Sequence, residues 1–221
     1  MKGYEAMTVL QQQLRQAIDE QQSSLLDILS QLVAFQTVSP PARNTLEIQN
    51  YVKQQLIEAG FTVKQQSFYD QDSLVSGQLS GDAASDHHSL LLNGHVDVAA
   101  LTDLDHWQTD PFQLVQHGDE LYGRGVSDMK GAVACFLYLF QLLKQLDVHL
   151  PGDLRFQSVV GEEAGEAGTK NLLEQGEKAD FAVVGDTSNM AFQGQGGVVT
   201  GWITLKSPHT YHDGNRVNML R

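Results

Sequence analysis

The chain of 221 residues has a single cysteine, Cys135, so an intrachain disulfide is excluded. Cys135 falls in an apolar helical pattern and is expected to be a packed, inert thiol. Basic residues are also scarce: 14 Lys and Arg face 27 Asp and Glu, for a net charge of −13 and a pI near 4.8. That balance argues against nucleic acid or an anionic membrane surface as a partner. No apolar run reaches the roughly 18 residues of a membrane span. The Gln-rich N-terminus does not carry the basic-then-apolar pattern of a secretion signal, so a cytoplasmic location is the expectation. No internal repeat is visible. What remains is a chain 41% hydrophobic, enough for a sizeable core in one or two domains.

Apolar residues recur at helical spacing from about Glu5 to Phe35, ending at Thr37-Val38-Ser39-Pro40-Pro41. A second amphipathic helix is predicted over Thr45–Ala59, with Gly60 closing it. Phe61–Phe68 and Ser73–Leu79 read as strands, and 81–88 as a polar turn in which His87 and His88 are surface residues. Leu90–Asn93 is a short buried strand. Residues 99–118 are long and irregular, with His106 and His117 as solvent or loop-packing residues, and 120–123 is a brief strand. Met129–Leu146 is a helix. Leu154–Val160 is a strand, 168–174 a helix and Asp180–Val184 another buried strand. Strands alternating with helices predict a three-layer α/β fold.

The stretch from Leu90 to Gly131 organises the rest. His95 and Asp97 follow an apolar run at period-two spacing, which puts both side chains on one face of a strand end. Glu162-Glu163 and Asp186 end two further strands, and Asp128 precedes the helix. The carboxyl ends of strands in open α/β sheets are where sites are built. An imidazole among carboxylates there suits a divalent metal such as zinc. Adjacent carboxylates also suit metal-assisted hydrolysis, one binding metal while its neighbour takes a proton from water. The bland alternative is a set of caps and salt bridges, with Asp128 as an N-cap and Glu162-Glu163 complementing a helix dipole. It requires acidic residues to gather at several chain-distant strand ends by accident.

In order, GHVDV, WQTDPF, ELYGRGVSDMKG, GEEAGEAGT and ADFAVVGD resemble the M20 metallopeptidase family. Its acetylornithine deacetylase and succinyl-diaminopimelate desuccinylase branch is the most similar in this reading. The resemblance runs from Thr37 to the end of the chain. It implies a zinc-hydrolase catalytic domain with an inserted lid and dimerisation domain. His95 and Asp186 would bind one metal, Asp128 would bridge two, and Glu163 would bind the second. Asp97 would orient His95, and Glu162 would be the general base. His209, nine residues before Asn218, would stabilise the oxyanion in a partner's site, with His212 as the competing histidine.

The implied cofactor is Zn2+, two per complete protein, with Co2+ or Mn2+ as alternatives. The implied substrate is an N-acyl amino acid, with arginine biosynthesis as the setting and a homodimer formed through the lid. Peptide cleavage by an aminopeptidase or dipeptidase, and a non-catalytic metal-binding fragment, are the other readings. The domain boundary is expected at 195/196, near Gly194–Gly197, with strand Val198–Lys206 opening the lid. The family's remaining lid, the second catalytic half and its late histidine do not follow Arg221, so fewer metals per chain are expected. Metal occupancy should fall below roughly pH 6, near the free imidazole pKa of ~6.5.

Overall fold

Leu90–His95 (β3) lies inside a five-stranded sheet, and everything at the site hangs from it. The computed structural model describes residues 2–39, 44–82, 86–102, 104–165 and 167–187. The sheet also holds β1 (Thr62–Phe68), β2 (Asp72–Leu79), β6 (Leu154–Val159) and β7 (Phe181–Val184), in the order β1-β2-β6-β3-β7. β1 and β2 form an antiparallel hairpin, and β2 runs antiparallel to β6. β3 is parallel to both β6 and β7, in register from Leu90 opposite Leu154 to His95 opposite Val159. The parallel strands therefore end side by side, bringing His95, Gly161-Glu162-Glu163 and Gly185-Asp186 to one edge of the sheet. A second small hairpin, β4 (Val115–His117) with β5 (Glu120–Tyr122), interrupts the long 99–118 loop.

Helices cover both faces, as the alternation of strands and helices predicts. On one face lie α3 (Leu46–Glu58) and α4 (Gly131–Gln145), with α2 (Gln22–Ala34) against α4. Gly77 of β2 meets Leu56 and Phe61, and Gly94 of β3 meets Val133 and Met129. Leu74 and Ser76, on the opposite face of β2, look toward α5 (Ala167–Glu174) and the segment after it, through Gly168 and Glu177. The core between sheet and helices is built on Leu32, Ile48, Val52, Leu56, Val133, Leu137, Phe140 and Phe156, all almost fully buried. Phe140 sits between Phe61 and Phe156, with ring centroids 4.7 and 5.4 Å away. Such aromatic pairs add ~0.5–1.5 kcal/mol each beyond their burial.

Several elements differ from the sequence expectation. The N-terminal helical stretch is two helices, α1 (Lys2–Glu20) and α2, because Gln21 leaves helical geometry at φ −121° and ψ 27°. α4 begins at Gly131 and not Met129, since Asp128 and Met129 have non-helical dihedrals within an irregular turn, Val126–Lys130. β7 is not buried: Phe181, Val183 and Val184 are 61%, 48% and 59% exposed, because β7 pairs only with β3 among the described residues. Cys135 is exposed on α4 rather than packed, although neighbouring protein still pushes its thiol pKa up. Val126–Gln145 is long and apolar enough to pass for a membrane span by composition. Its regular helix has only 15 residues, about 22 Å at 1.5 Å per residue, short of the ~30 Å hydrocarbon core. The expected boundary at 195/196, strand Val198–Lys206, His209, His212 and Asn218 lie outside the described residues.

Candidate metal centre

His95 is the hub, 1% exposed at the end of β3. Its backbone continues into Val96-Asp97-Val98, a segment clamped by a second stretch of chain. Thr37 Oγ1 donates to the Val96 carbonyl, the Val98 amide donates to Thr37 O at 2.9 Å, and the Ser39 amide donates to Val98 O at 2.9 Å. Strand-like pairing beyond the sheet proper thus fixes the direction in which the imidazole points. His95 Nδ1 lies 2.9 Å from the Asp97 carbonyl oxygen and 3.5 Å from the Asp97 carboxylate. The shorter contact is the hydrogen bond, so Nδ1–H donates to the backbone and Nε2 faces the opening.

Around Nε2 stand three carboxylates. Asp128 Oδ1 is 3.1 Å away, Glu162 Oε2 3.8 Å and Asp186 Oδ2 4.0 Å. One ligand atom each of His95, Glu162 and Asp186 lies within 4.8 Å of the others, a spacing that could hold a metal ion. Asp128 reaches the group from the irregular turn before α4, where the Asp128–Met129 peptide is cis. It points at His95 and is not the N-cap of α4, so the capping alternative fails. Glu162 and Glu163 leave a single helical turn that follows Gly161, whose φ of +84° favours glycine. Glu163 feels Asp128 and takes support from the Ala99 amide. Asp186 is held by the Thr187 amide at 2.6 Å. His95, Asp97, Asp128, Glu162 and Asp186 therefore come together, and Glu163 follows Glu162 on the same helical turn. The tightest three-group set contains Glu162, the residue expected as general base, as well as His95 and Asp186.

The charges of these groups bear on what the site could hold. Burial tends to lower the His95 pKa, but Asp97 and Glu162 outweigh it and push it up to about 9. In the metal-free protein a metal at Nε2 would therefore have to displace a proton at neutral pH. Burial and then the neighbouring carboxylates Asp186, Asp128 and Asp97 raise Glu162, against His95, which lowers it. Burial and Asp128 likewise raise Glu163. Both oxygens of the buried Asp97 carboxylate lack a hydrogen-bond partner among the described residues. Carboxylates crowded around one buried imidazole fit a divalent cation, which would offset their mutual repulsion.

Residues 91–212 match the profile of Peptidase family M20/M25/M40. The chain belongs to this family. It is 46% identical over 207 residues to the N-formyl-4-amino-5-aminomethyl-2-methylpyrimidine deformylase of Bacillus subtilis (strain 168), covering 94% of this chain and 49% of that protein. It is 33% identical over 176 residues to the succinyl-diaminopimelate desuccinylase of Legionella pneumophila (strain Lens), covering 76% and 44%. The chain thus spans about half the length of the curated relatives it matches. Human carnosine dipeptidase 1 superposes with a TM-score of 0.72 at 24% identity, over 80% of this chain and 41% of that one, which supports the fold. The desuccinylase match agrees with the resemblance read from the motifs, while the greater similarity to deformylases leaves an acetylornithine deacetylase activity and an arginine-biosynthetic role without support.

Lys130 escaped the sequence reading. It is the basic residue of the DMKG motif and is 0% exposed. The only signal in the sequence is its place between Met129 and the small pair Gly131-Ala132, at the start of an apolar helix.

Proposed function

We propose that the protein carrying this chain is a metal-dependent amidohydrolase that removes a formyl group from an aminomethyl-pyrimidine amide. The observation that carries the chemistry is the convergence of Asp128, Glu162 and Asp186 within 4.0 Å of one buried imidazole nitrogen. The substrate class rests on the 46% identity to the Bacillus subtilis deformylase across 94% of the chain. His95, Asp128, Glu163 and Asp186 would hold the metal ions, with Zn2+ the first choice for a site that mixes imidazole and carboxylate. When bound, the metals supply Lewis acidity to the amide carbonyl and acidify water.

The residues do the rest. Glu162, its proton affinity raised by burial and by its neighbours, accepts a proton from the attacking water at a carboxylate oxygen. It then returns that proton to the leaving amine nitrogen as the C–N bond breaks, giving formate and a free amine. Asp97, beneath the imidazole, orients His95 through its carbonyl and its charge. His209 as oxyanion donor, and a homodimer that delivers it, belong to the same proposal.

The test is turnover by the Zn2+-loaded protein on four amides: the formylaminopyrimidine, N-acetylornithine, N-succinyl-diaminopimelate and carnosine. The formyl amide should exceed the others in kcat/KM by at least ~10²-fold, the discrimination expected of a site matched to one substrate. Preference for an acyl amino acid, the reading favoured by the 33% identity to desuccinylase, or for the dipeptide would overturn the assignment.

A further inference from the structure

The chain leaving β3 is paired with a second stretch of backbone, and one hydrogen bond in that pairing is unlike the rest. Val38 pairs in parallel with Val98. The Val98 amide donates to Thr37 O and the Ser39 amide to Val98 O, both at 2.9 Å. A parallel ladder is evenly spaced, so its next rung back would run from the Thr37 amide to the Val96 carbonyl. That amide is instead turned to Phe35 O at 3.0 Å, as the chain leaves α2. The Thr37 hydroxyl supplies the missing rung by donating to Val96 O. Thr37, Val96 and Val98 are all buried, so bulk water is not at hand to replace that donor.

Val96 lies between His95 and Asp97, so its backbone bears on both. Its amide donates to Val159 O at 3.0 Å, continuing the pairing of β3 with β6. Its carbonyl is held by Thr37. With Val96 tied on both sides, the Asp97 carbonyl stands where His95 Nδ1 reaches it at 2.9 Å. We propose that Thr37 is a positioning residue for the metal centre: its hydroxyl locks the Val96 carbonyl, and through it the Asp97 carbonyl that aims the His95 imidazole. Thr37 touches neither substrate nor metal in this role. The inference rests on the metal-site reading and not on which amide is cleaved.

The hydroxyl can be tested apart from the fold around it. Thr37→Val keeps the shape and removes the donor, whereas Thr37→Ser keeps the donor. Tyr138→Phe is the control. The Tyr138 hydroxyl also donates to a backbone carbonyl, Ala17 O at 3.2 Å, in a buried contact between α4 and α1 that involves no site residue. The measurement is Zn2+ affinity of the protein carrying this chain, by chelator competition at one pH, with thermal melts of the metal-free protein alongside. Thr37→Val is expected to weaken Zn2+ binding at least ~10-fold, the scale of losses for groups that orient a ligand, while Thr37→Ser and Tyr138→Phe stay within about threefold of wild type. Thr37→Val and Tyr138→Phe should both lower the metal-free Tm, since each strands a buried carbonyl. Only the first should weaken binding.

A smaller loss in Thr37→Val would overturn the proposal, because metal binding would then be indifferent to the hydroxyl. So would a loss in Tyr138→Phe as large as in Thr37→Val, because affinity would merely follow stability. A Thr37→Ser variant as weak as Thr37→Val would overturn it too, since the donor would be present without effect. Should Thr37→Val fail to fold, Thr37→Ala removes the same donor without placing a methyl where the hydroxyl was, and carries the same expectation. Wild-type protein that binds no Zn2+ would remove the metal-site reading itself, and this role with it. Wild-type protein that binds Zn2+ beside an unweakened Thr37→Val would remove the role of Thr37 alone.

Discussion

At the scale of single residues, two side chains make the sharpest predictions. Glu162 is placed to carry a proton, so Glu162→Gln should keep its fold and lose turnover by at least ~10²-fold, because an amide cannot accept the proton of the attacking water. Steady-state kinetics on the formyl amide checks this, and near-wild-type turnover would remove Glu162 from the chemistry. His95 predicts a pH dependence. Its pKa of about 9 in the metal-free protein lies above the free value of ~6.5, so at neutral pH metal must displace its proton. Zn2+ affinity should therefore rise by about tenfold per pH unit from roughly neutral pH up to about 9, then level off. The protonated, carboxylate-paired imidazole stabilises the metal-free fold fully below ~6.5, and that contribution is lost as pH rises through about 9. Calorimetry in buffers of different ionisation enthalpy should show close to one proton released per imidazole-bound Zn2+ near pH 7.5. No proton release would show that Nε2 is not the ligand.

The six site residues were legible because each ends a strand or precedes a helix, and because their order along the chain is specific. Their separate roles were not, since adjacent Glu162 and Glu163 differ only in where one helical turn aims them. Lys130 was invisible for another reason: no pattern in a sequence marks a buried lysine until its carbonyl partner, 95 residues away, is in place.

Among elements, the turn before α4 bears most directly on the site, because it aims Asp128. Gly131 opens α4 with the Val126 carbonyl 2.3 Å from where a Cβ would be. A backbone oxygen cannot be moved aside as a flexible side chain can. Gly131→Ala should therefore push α4 and the 126–130 turn apart, costing about 1–3 kcal/mol and weakening metal binding with it. Thermal melts with and without Zn2+ would show both effects, and an unchanged Tm would refute the close approach. This start at Gly131 was only half legible. The small pair Gly131-Ala132 announces tight packing, but the apolar period runs straight through Met129 and conceals the non-helical residues. The break at Gln21 was hidden in the same way, since glutamine is a good helix former and neither Gly nor Pro marks the spot. The pairing of 37–39 with Val96–Val98 depends on chain segments about 60 residues apart, which no local signal reports.

For the molecule as a whole, the strand that departs most from expectation is β7. Its DFAVV sequence has the continuous apolar character of a strand covered on both faces, and that is how it reads. Among the described residues it is an edge, paired on one side with β3 and pinned at its start where the Ser89 amide and hydroxyl donate to the Asp180 carboxylate at 2.7 and 2.8 Å. Phe181, Val183 and Val184 are all largely exposed. An exposed apolar edge offers unpaired backbone groups and apolar surface together, the combination that recruits another chain. The net charge of −13 opposes this through long-range repulsion, which salt screens over a Debye length of about 8 Å at 0.15 M. The 221-residue chain should therefore self-associate in a concentration-dependent way, more strongly as salt is raised. Val183→Lys, which places a charge on the edge without touching a site residue, should shift the distribution toward monomer. Sedimentation velocity across a concentration series at low and high salt measures both effects. A single monomeric species for wild type at high salt, or association unchanged in Val183→Lys, would show that this edge is not the surface that self-associates.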